Sequence, residues 1–307
     1  MGEMLDTLII GAGPAGLSAG IYGLRAGLKL LLLEKAAAGG QVQSTYAVDN
    51  YPGLPGISGM DLSLKMKEHF EKVGGTIMTA EVTGVQKEAE RRFLVKTDQG
   101  DFACKSVLLA AGAHHAKLGV PGEEELAGCG VSYCATCDGA FYKGAVTAVV
   151  GGGNVAVEDA IFLARFCEKV YLIHRRDTLR AEKALQDVLL ALPNVEILWD
   201  TTVECMQGDG ELESLVIRNL KTDEQKELAV EGVFVAVGIL PDTERFTNLA
   251  KTDEQGYFIA GEDGRTSEPG IFVAGDARKK PLRQILTAAA DGANAITSAA
   301  EYIREFT

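Results

Sequence analysis

A glycine-rich turn between two apolar patterns opens this chain of 307 residues and limits what it can fold into. The stretch TLIIGAGPAGLSAGIYGLRAG runs from a strand pattern into G-x-G-x-x-G at Gly11, Gly13 and Gly16, and then into a helical pattern. A second strand pattern, LKLLLLE, ends at Glu34. Such glycines let the backbone approach a pyrophosphate on a helix N-terminus, and the later carboxylate accepts hydrogen bonds from a ribose. The stretch therefore predicts a strand–helix–strand unit that binds a dinucleotide.

The same device recurs in the middle of the chain, in AVTAVVGGGNVAVEDAIFLARF. Gly151, Gly153 and Ala156 form G-x-G-x-x-A, again between a strand pattern and a helical pattern. The next strand pattern, KVYLIH, ends at His174, as far beyond the first glycine as in the first copy. The repeated spacing argues against coincidence, so the sequence predicts two nucleotide-binding units.

The two copies differ at the position that contacts the ribose. The first ends in a carboxylate, whereas the second ends in His174, followed by Arg175 and Arg176, with Arg180 one turn on. Arginines attract a 2′-phosphate that a carboxylate would repel, although a solvated basic stretch would contain the same residues. Asp177 looks like the N-cap of the next helix, so these cations crowd a helix start, where the helix dipole repels them and a bound phosphate would offset that repulsion. This favours NADPH in the second unit and FAD, its usual companion, in the first.

The C-terminal stretch GIFVAGDARKKPLRQILTAAADGANAITSAAEYI predicts a strand that ends at Gly275 and Asp276, a short loop and a long helix. An aspartate there can bind flavin ribitol or order a pyrophosphate, but by itself it is more often a cap or turn residue. Because this element closes the flavin unit, the NADPH unit is inserted into it. We expect an α/β fold of two Rossmann-like, three-layer ββα-type domains. The FAD-binding domain would take residues 1–114 and 245–307, and the NADPH-binding domain residues 115–244.

Cys134 and Cys137 form a C-x-x-C motif in SYCATCDGAF, inside the expected NADPH domain. A four-cysteine zinc site would need a second C-x-x-C, which the sequence lacks. Cys129 extends the motif to the plant-type iron–sulfur spacing, but Cys167 falls at the far end of the nucleotide-binding helix from its turn. An inert disulfide would suit a cytoplasmic protein poorly. A redox dithiol beside a flavin is chemically productive, with Asp138 as a proton donor for a leaving thiolate.

Composition restricts the partners and the compartment. The chain has 30 Lys+Arg against 43 Asp+Glu, a net charge of −13, which argues against nucleic acid. No segment is long and apolar enough to span a membrane, and the N-terminus lacks the basic residues of a signal peptide. We expect a cytoplasmic protein without a metal site, in which the cysteines outside the motif are small buried apolar residues. These are Cys104, Cys129, Cys167 and Cys205.

The motifs GAGPAG, CATCD, GGGNVAVEDA, HRRDTLR and GIFVAGD with RQI follow one another along the chain. Together they resemble the low-molecular-weight, bacterial-type thioredoxin reductases of the FAD/NAD(P)-binding disulfide oxidoreductase family, over essentially the whole chain. The resemblance implies a homodimer in which hydride passes from NADPH to FAD, then to the Cys134–Cys137 disulfide, then to thioredoxin or a thioredoxin-like protein. Since nicotinamide and dithiol lie on the same inserted domain and both must reach the flavin, we expect that domain to rotate between half-reactions.

The resemblance also implies the roles of individual residues. Cys137 is expected to be the sulfur next to the flavin, Cys134 to attack the thioredoxin disulfide, and Asp138 to act as acid and base. The expected FAD contacts are Gly11, Gly13, Pro14, Ala15, Gly16, Glu34, Lys35, Gly40, Gln41, Asn50, Gly275, Asp276, Arg283, Gln284 and Ile285. The expected NADPH contacts are Gly151, Gly153, Asn154, Ala156, His174, Arg175, Arg176 and Arg180.

Several other functions could use the same scaffold. A ferredoxin-driven thioredoxin reductase would lack the HRR…R cluster, which this sequence has. The flavin–dithiol half of an alkyl hydroperoxide reductase would want a further thioredoxin-like module before the flavin strand. A flavin-dependent small-molecule dithiol oxidase tends to have altered NADPH motifs. A non-catalytic redox sensor would not need a dithiol together with two complete nucleotide sites.

Overall fold

The computed structural model describes residues 4–45 and 48–305, so the ends of the expected FAD domain, 1–3 and 306–307, lie outside it. The strands in the described residues are β1 (Leu5–Ile10), β2 (Leu30–Glu34), β3 (Ile77–Thr79), β4 (Val82–Ala89), β5 (Arg92–Thr97), β6 (Gly100–Leu109), β7 (Ala113–His115), β8 (Val131–Ser132), β9 (Val146–Gly151), β10 (Lys169–Ile173), β11 (Val195–Leu198), β12 (Thr201–Gln207), β13 (Ser214–Asn219), β14 (Gln225–Ala229), β15 (Gly232–Ala236), β16 (Ile239–Pro241) and β17 (Ile271–Val273). The α-helices are α1 (Pro14–Arg25), α2 (Gly59–Lys72), α3 (Ala135–Asp138), α4 (Asn154–Leu163), α5 (Lys183–Leu190) and α6 (Ile285–Arg304).

The chain divides into two compact units. One takes the residues up to His114 and again those from Leu240, and the other runs from His115 to Ile239. The sequence predicts the second boundary after residue 244, whereas the division falls before Leu240. Along the described residues, no helix combines the length and the apolar character needed to cross a membrane.

The first unit is built on a sheet with the strand order β3-β2-β1-β6-β5-β4, in which β17 also pairs with β6. The strands β3, β2, β1, β6 and β17 run parallel, and β5 and β4 continue the sheet antiparallel. The long strand β6 serves both parts, since its beginning pairs with β5 and its end, Val107 to Leu109, pairs with β17. Parallel strands with helical crossovers require cover on both faces.

Alternation along β1 shows how that cover is arranged. Ile9 is fully buried against residues of α1, α2 and α6, such as Leu17. Leu8 and Ile10 belong to a separate cluster with Val85 and Phe93 of the antiparallel strands. Since successive side chains of a strand point to opposite faces, the sheet lies between a helical layer and a β layer. This is the three-layer arrangement that the sequence predicts.

The second unit repeats the plan. Its five-stranded sheet has the order β11-β10-β9-β15-β8, with every pair parallel. Val149 and Leu172 pack with α4 and α5 residues on one face, whereas Val150 and Ile173 pack with the antiparallel strands β12, β13 and β14 on the other. The prediction of two Rossmann-like α/β domains is therefore confirmed.

The carboxyl ends of the parallel strands bring the motifs of each unit to one edge. In the first unit β1 leads to Gly11, β2 ends at Glu34 and β17 leads to Gly275. In the second, β9 ends at Gly151 and β10 leads to His174. Ligands of open α/β sheets bind at this edge, so each unit has one candidate site.

Candidate active site

The first glycine turn joins β1 to α1, and its backbone atoms lie very close to one another. A β-carbon at Gly16 would lie 1.8 Å from the carbonyl oxygen of Gly11, so any other residue would break the turn. Gly13 has open space around it, and as N-cap it gives the helix no side-chain hydrogen bond. Pro14 follows at the first helical position, where its missing N–H costs nothing. The N–H groups that begin α1 are thus left for an anion such as a pyrophosphate.

Glu34 ends β2 beside this turn. Its Oε2 accepts a 2.8 Å hydrogen bond from the backbone N–H of Ala12, and its Oε1 accepts one of 3.0 Å from Ala36 N–H. These two bonds fix the carboxylate next to the glycines, and each oxygen keeps a second lone pair for a ribose hydroxyl. Lys35, the next residue, is exposed at the same edge.

Three contacts join distant expected FAD residues into one surface. A β-carbon at Gly40 would lie 3.3 Å from Gly13 Cα, and one at Gly275 would lie 2.9 Å from Ala15 Cβ. Asn50 Nδ2 donates a 2.9 Å hydrogen bond to Oε1 of Gln284, the N-cap of α6. The structure therefore brings the segments around residues 13, 40, 50, 275 and 284 together. Gln41 is exposed beside Gly40, and Ile285 is the first residue of α6.

Among the described residues, the buried Arg283 Nε at this surface donates no hydrogen bond, whereas the buried Asp276 Oδ1 lies 3.3 Å from Lys280 Nζ. Arg283 also lies over the Tyr257 ring, 4.2 Å from its centroid. Buried polar groups are normally paired, so Arg283 Nε indicates a missing acceptor, and the exposed part of the Asp276 side chain is open to a donor. Hydroxyls and phosphates of FAD would supply both an acceptor and donors, and the residues present fit that group.

The second glycine turn has the same tight geometry. A β-carbon at Gly151 would lie 2.6 Å from Ala156 Cβ, and one at Gly152 would overlap the His174 ring at 2.2 Å. Gly153, the N-cap of α4, again has open space and gives the helix no side-chain cap. Asn154 is held by Glu182, whose backbone N–H donates to Asn154 Oδ1 at 2.9 Å. The start of α4 is therefore free to bind the pyrophosphate of a second dinucleotide.

His174 and the arginines follow at the end of β10. The His174 ring is buried, with Nε2 3.0 Å from the Thr178 carbonyl oxygen. It packs against the second glycine turn at Gly152. Arg175, Arg176 and Arg180 are exposed, and no carboxylate among the described residues forms an ion pair with them. Exposed guanidinium groups without carboxylate partners suit a 2′-phosphate, as the residues of NADPH-specific sites do.

The prediction that Asp177 caps a helix is wrong. The next helix, α5, begins at Lys183 with Glu182 as its N-cap, and Asp177 instead lies 3.3 Å from Lys221 Nζ. The arginines thus lie in an irregular loop rather than at a helix start. The reason is that the 174–182 loop is pinned by tertiary contacts, including a 2.7 Å hydrogen bond from Arg180 N–H to the Gly152 carbonyl.

Cys134 and Cys137 are joined in a disulfide at the short helix α3. Cys134 is the N-cap of this helix and directly follows Ser132 and Tyr133 at the end of β8. Both sulfur-bearing residues are half-buried, and the backbone N–H groups of Cys137 and Asp138 donate to the Cys134 carbonyl. The disulfide thus closes a single helical turn at the edge of the sheet of the NADPH unit.

Asp138 lies at the end of this turn in a partly buried position. Ser132 Oγ donates a 2.6 Å hydrogen bond to Asp138 Oδ2 and accepts one of 3.1 Å from Cys134 N–H. Burial raises the pKa of Asp138, and the Ser132 hydrogen bond opposes that rise. A carboxyl group with a raised pKa can carry a proton nearer to neutral pH, which suits a donor to a thiolate.

The other four cysteines are free thiols with different surroundings. Cys104 and Cys167 are buried, as predicted, and burial raises the pKa of Cys104 to about 12. Cys205 is half-buried and Cys129 is exposed, so the prediction of burial is wrong for Cys129. Cys129 lies in a tight turn between two glycines, and its backbone carbonyl accepts a hydrogen bond from Leu212 N–H.

Sequence reasoning misses several residues that shape the two sites. Ser132 could have been found, because a serine two residues before Cys134 can bond the later backbone N–H. Glu123 is almost completely buried and accepts hydrogen bonds from two backbone N–H groups and the Tyr133 hydroxyl. Nothing in the acidic run EEE reveals that one of its members is buried. Lys280 is likewise one of two consecutive lysines that look alike in the sequence.

Comparisons with known proteins agree with this geometry. The family model described as pyridine nucleotide-disulphide oxidoreductase matches residues 5–292. Thioredoxin reductase from Bacillus subtilis is 43% identical over 304 residues, which cover 99% of this chain and 96% of that protein. Thioredoxin reductase from Treponema pallidum is 43% identical over 97% of both chains. The crystal structure of thioredoxin reductase from Streptococcus pyogenes is similar with a TM-score of 0.94, at 43% identity and 99% coverage of both chains.

Proposed function

The chain belongs to the pyridine nucleotide-disulphide oxidoreductase family, and we propose that it is a thioredoxin-disulfide reductase that uses NADPH and FAD. It would reduce the Cys134–Cys137 disulfide and then the disulfide of a thioredoxin or thioredoxin-like protein. The observation that carries this proposal is a disulfide formed on the same unit as a complete NADPH turn, next to a half-buried acid. The full-length likeness to thioredoxin reductases supports it.

The two glycine turns divide the cofactors between the units. Gly13 and Glu34, with Asp276 and Arg283, would hold FAD in the first unit, and the unpaired buried Arg283 Nε supports this assignment. In the second unit the start of α4 would hold the pyrophosphate of NADPH, and the arginines after His174 its 2′-phosphate. Their lack of carboxylate partners in the described residues favours NADPH over ferredoxin as the electron source.

The dithiol provides the chemistry toward the protein substrate. When bound, FAD accepts hydride from NADPH and returns two electrons to a disulfide. Those electrons break the Cys134–Cys137 bond and leave two sulfurs that need protons, one of which Asp138 would supply. The Cys134 thiolate then attacks one sulfur of the substrate disulfide, and the other substrate sulfur leaves as a thiolate. Cys137 attacks Cys134 Sγ, which releases the reduced substrate and restores the Cys134–Cys137 bond.

The same unit would have to present nicotinamide and dithiol to the flavin in turn, so we propose that it rotates about its two crossings. Each crossing contains a glycine with positive φ, Gly112 at 77° and Gly238 at 141°, with open space where a side chain would stand. The Gly112 carbonyl accepts the Asp242 N–H within the first unit, and the Gly238 carbonyl accepts the Ala116 N–H within the second. Each crossing therefore has a glycine, the residue with the fewest backbone restrictions, next to the boundary between the units, as a hinge requires.

We also propose a cytoplasmic homodimer. Four of the six cysteines are free thiols, which suits a reducing compartment. The dimer follows from the family resemblance, and the FAD unit exposes large apolar side chains that a second copy could cover. About half of each of these side chains is exposed: Met60, Leu64, Leu282 and Leu286.

An anaerobic mixing experiment tests the proposal. NADPH and, separately, NADH are added to the purified protein while the flavin absorbance is followed, and thioredoxin is then added. NADPH should bleach the flavin rapidly and NADH slowly, and thioredoxin should restore the colour as its disulfide is reduced. A bound flavin that neither nucleotide bleaches would contradict the NADPH assignment and favour ferredoxin as the electron source. A flavin that a small dithiol reduces and oxygen reoxidises, but that thioredoxin does not reoxidise, would favour the dithiol oxidase.

A further inference from the structure

Three charged side chains are buried together in the FAD unit. Arg278, Lys280 and Asp291 are 8%, 9% and 7% exposed. Lysine, arginine and aspartate are almost never buried to this extent unless they are paired. The neighbouring Lys279 has a side chain that is 63% exposed, so only the second of two consecutive lysines enters the interior. The burial of Lys280 therefore calls for a specific partner.

Asp291 on α6 is not sufficient as that partner. Arg278 already forms a two-pronged pair with it, through Nη2 to Oδ1 at 2.8 Å and Nε to Oδ2 at 3.2 Å. Lys280 Nζ adds a third charged hydrogen bond to Oδ2, at 3.1 Å. Two buried cations thus face one buried carboxylate. The cluster is balanced only if it includes a second anion, because an uncompensated buried charge is strongly destabilising.

The second anion is Asp276. Lys280 Nζ lies 3.3 Å from Asp276 Oδ1, which is a buried oxygen. The Asp276 side chain is 30% exposed, whereas that of Lys280 is 4% exposed. Because Oδ1 is buried beside the Lys280 ammonium group, the exposed part of the Asp276 side chain does not include this oxygen. Lys280 Nζ also lies 3.4 Å from Oγ1 of Thr287, which accepts the backbone N–H of Gln284.

We propose that Lys280 is a positioning residue for FAD: its buried ammonium group keeps Asp276 ionised and fixes that carboxylate, so that it accepts hydrogen bonds from the flavin's ribitol hydroxyls. Lys280 would not touch the cofactor itself. The hydrogen bond to Thr287 extends the same support to Gln284, the other end of the expected flavin surface. The inference rests on the proposed binding of FAD in this unit, and not on which protein disulfide is reduced.

The charged groups around Asp276 give the role a pH signature. Burial raises the pKa of Asp276, Lys280 and Arg283 lower it, and Asp291 raises it again. The Tyr257 hydroxyl also interacts with Asp276, and burial and this interaction both raise the pKa of that hydroxyl. Without Lys280 the pKa of Asp276 must rise further, so more of the carboxyl group is protonated as the pH falls. A protonated carboxyl accepts fewer hydrogen bonds, and FAD binding should weaken most at acid pH.

The test compares wild-type holoprotein with Lys280→Met and Lys280→Arg. Free flavin fluorescence after dilution reports FAD release at slightly acid, neutral and slightly alkaline pH. Lys280→Met should weaken FAD binding by about ten- to a hundredfold, the size of one lost charged hydrogen bond, with the larger loss at acid pH. Lys280→Arg keeps the charge and should restore most of the affinity. Lys279→Met, which removes the same charge from the exposed neighbour, should change nothing.

A double-mutant cycle separates positioning from general stability. If Lys280 acts through Asp276, then Lys280→Met should add little to the loss of FAD in an Asp276→Asn background. An equal loss in both backgrounds, or a loss that does not vary with pH, would overturn the proposal and leave Lys280 a merely structural residue. If Lys280→Met does not fold, Lys280→Gln in the same pH series decides. Wild-type protein that binds no FAD at all would overturn the proposed function as well.

Discussion

Ser132 Oγ lies 2.6 Å from Asp138 Oδ2 and donates a hydrogen bond to it. The same hydroxyl accepts the backbone N–H of Cys134 at 3.1 Å, so one side chain links the acid to the redox cysteine. The acid is therefore held in a fixed place before any chemistry occurs. Pre-set geometry of this kind makes proton transfer in the turn efficient.

Asp138→Asn should slow thioredoxin reduction by about a hundredfold, because the asparagine keeps the shape but cannot deliver a proton. Bleaching of the flavin by NADPH should be nearly unchanged, because that half-reaction does not use the acid. Stopped-flow absorbance measures both steps in the same sample. Equal rates of thioredoxin reduction in the variant and the wild type would show that water supplies the proton.

Ser132→Ala should move the pH profile of disulfide reduction upward. The Ser132 hydrogen bond lowers the pKa of Asp138 against the effect of burial, so its removal raises that pKa. The protonated donor then persists to higher pH, and the alkaline limb of the rate profile shifts in the same direction. The rate at neutral pH should fall a few-fold through lost orientation. A limb that stays in place would mean that another group controls it, and Ser132→Thr, which keeps the hydroxyl, serves as the control.

Arg176→Ala should raise KM for NADPH by about tenfold and leave KM for NADH almost unchanged, since one charged hydrogen bond to the 2′-phosphate is lost. Initial rates with each nucleotide measure this. Lys183→Ala is the matched control, because Lys183 is an exposed cation in the same region that is paired with Asp187. If Arg176→Ala affects both nucleotides equally, the arginine does not read the phosphate.

Two adjacent glycines of the second turn should respond differently to alanine. Gly152→Ala places a β-carbon 2.2 Å from the buried His174 ring, so we expect a loss of about 1–3 kcal/mol in the free energy of unfolding. Gly153→Ala meets nothing within 4 Å and has an ordinary backbone, so stability should hold. It should instead weaken NADPH binding, because the pyrophosphate needs close backbone approach. Denaturation curves measure the stability of both variants, and NADPH titrations measure their affinity. A stable Gly152→Ala variant, or a Gly153→Ala variant with unchanged NADPH affinity, would contradict the prediction.

Gly112→Ala combined with Gly238→Ala should reduce turnover several-fold without changing the affinity for either nucleotide. A β-carbon narrows the backbone angles available at the two crossings, and both glycines have positive φ. Gly128→Ala is the matched control, with φ of 79° and open space in a turn away from the crossings. Steady-state turnover equal to that of the control would contradict rotation about these positions.

Local patterns along the chain predict much of the fold and of the site. The two glycine turns and the strand that ends at Glu34 appear where the sequence places them. The strands predicted to end at His174 and at Gly275 and Asp276 also form, but they end slightly earlier, at Ile173 and Val273. They are predictable because a turn that holds a pyrophosphate fixes its residues within a short span. The disulfide is predictable as well, because its two cysteines lie within one helical turn.

Other predictions fail where long-range packing decides. Asp177 does not cap a helix, because the 174–182 loop is held by bonds to distant residues such as Gly152. Cys129 is exposed, because backbone hydrogen bonds fix the position of its turn, and the apolar character of the thiol does not decide it.

The sequence by itself determined that this chain binds two dinucleotides and carries a reducible cysteine pair, since each of these features is written within one short segment. Only the tertiary structure decided which residues support them. Asn50 meets Gln284 from 234 positions away, and Lys280 rather than Lys279 is turned inward between Asp276 and Asp291. The physical reason is that burial and charge pairing depend on which elements pack together, and two neighbouring lysines are chemically identical until the packing separates them.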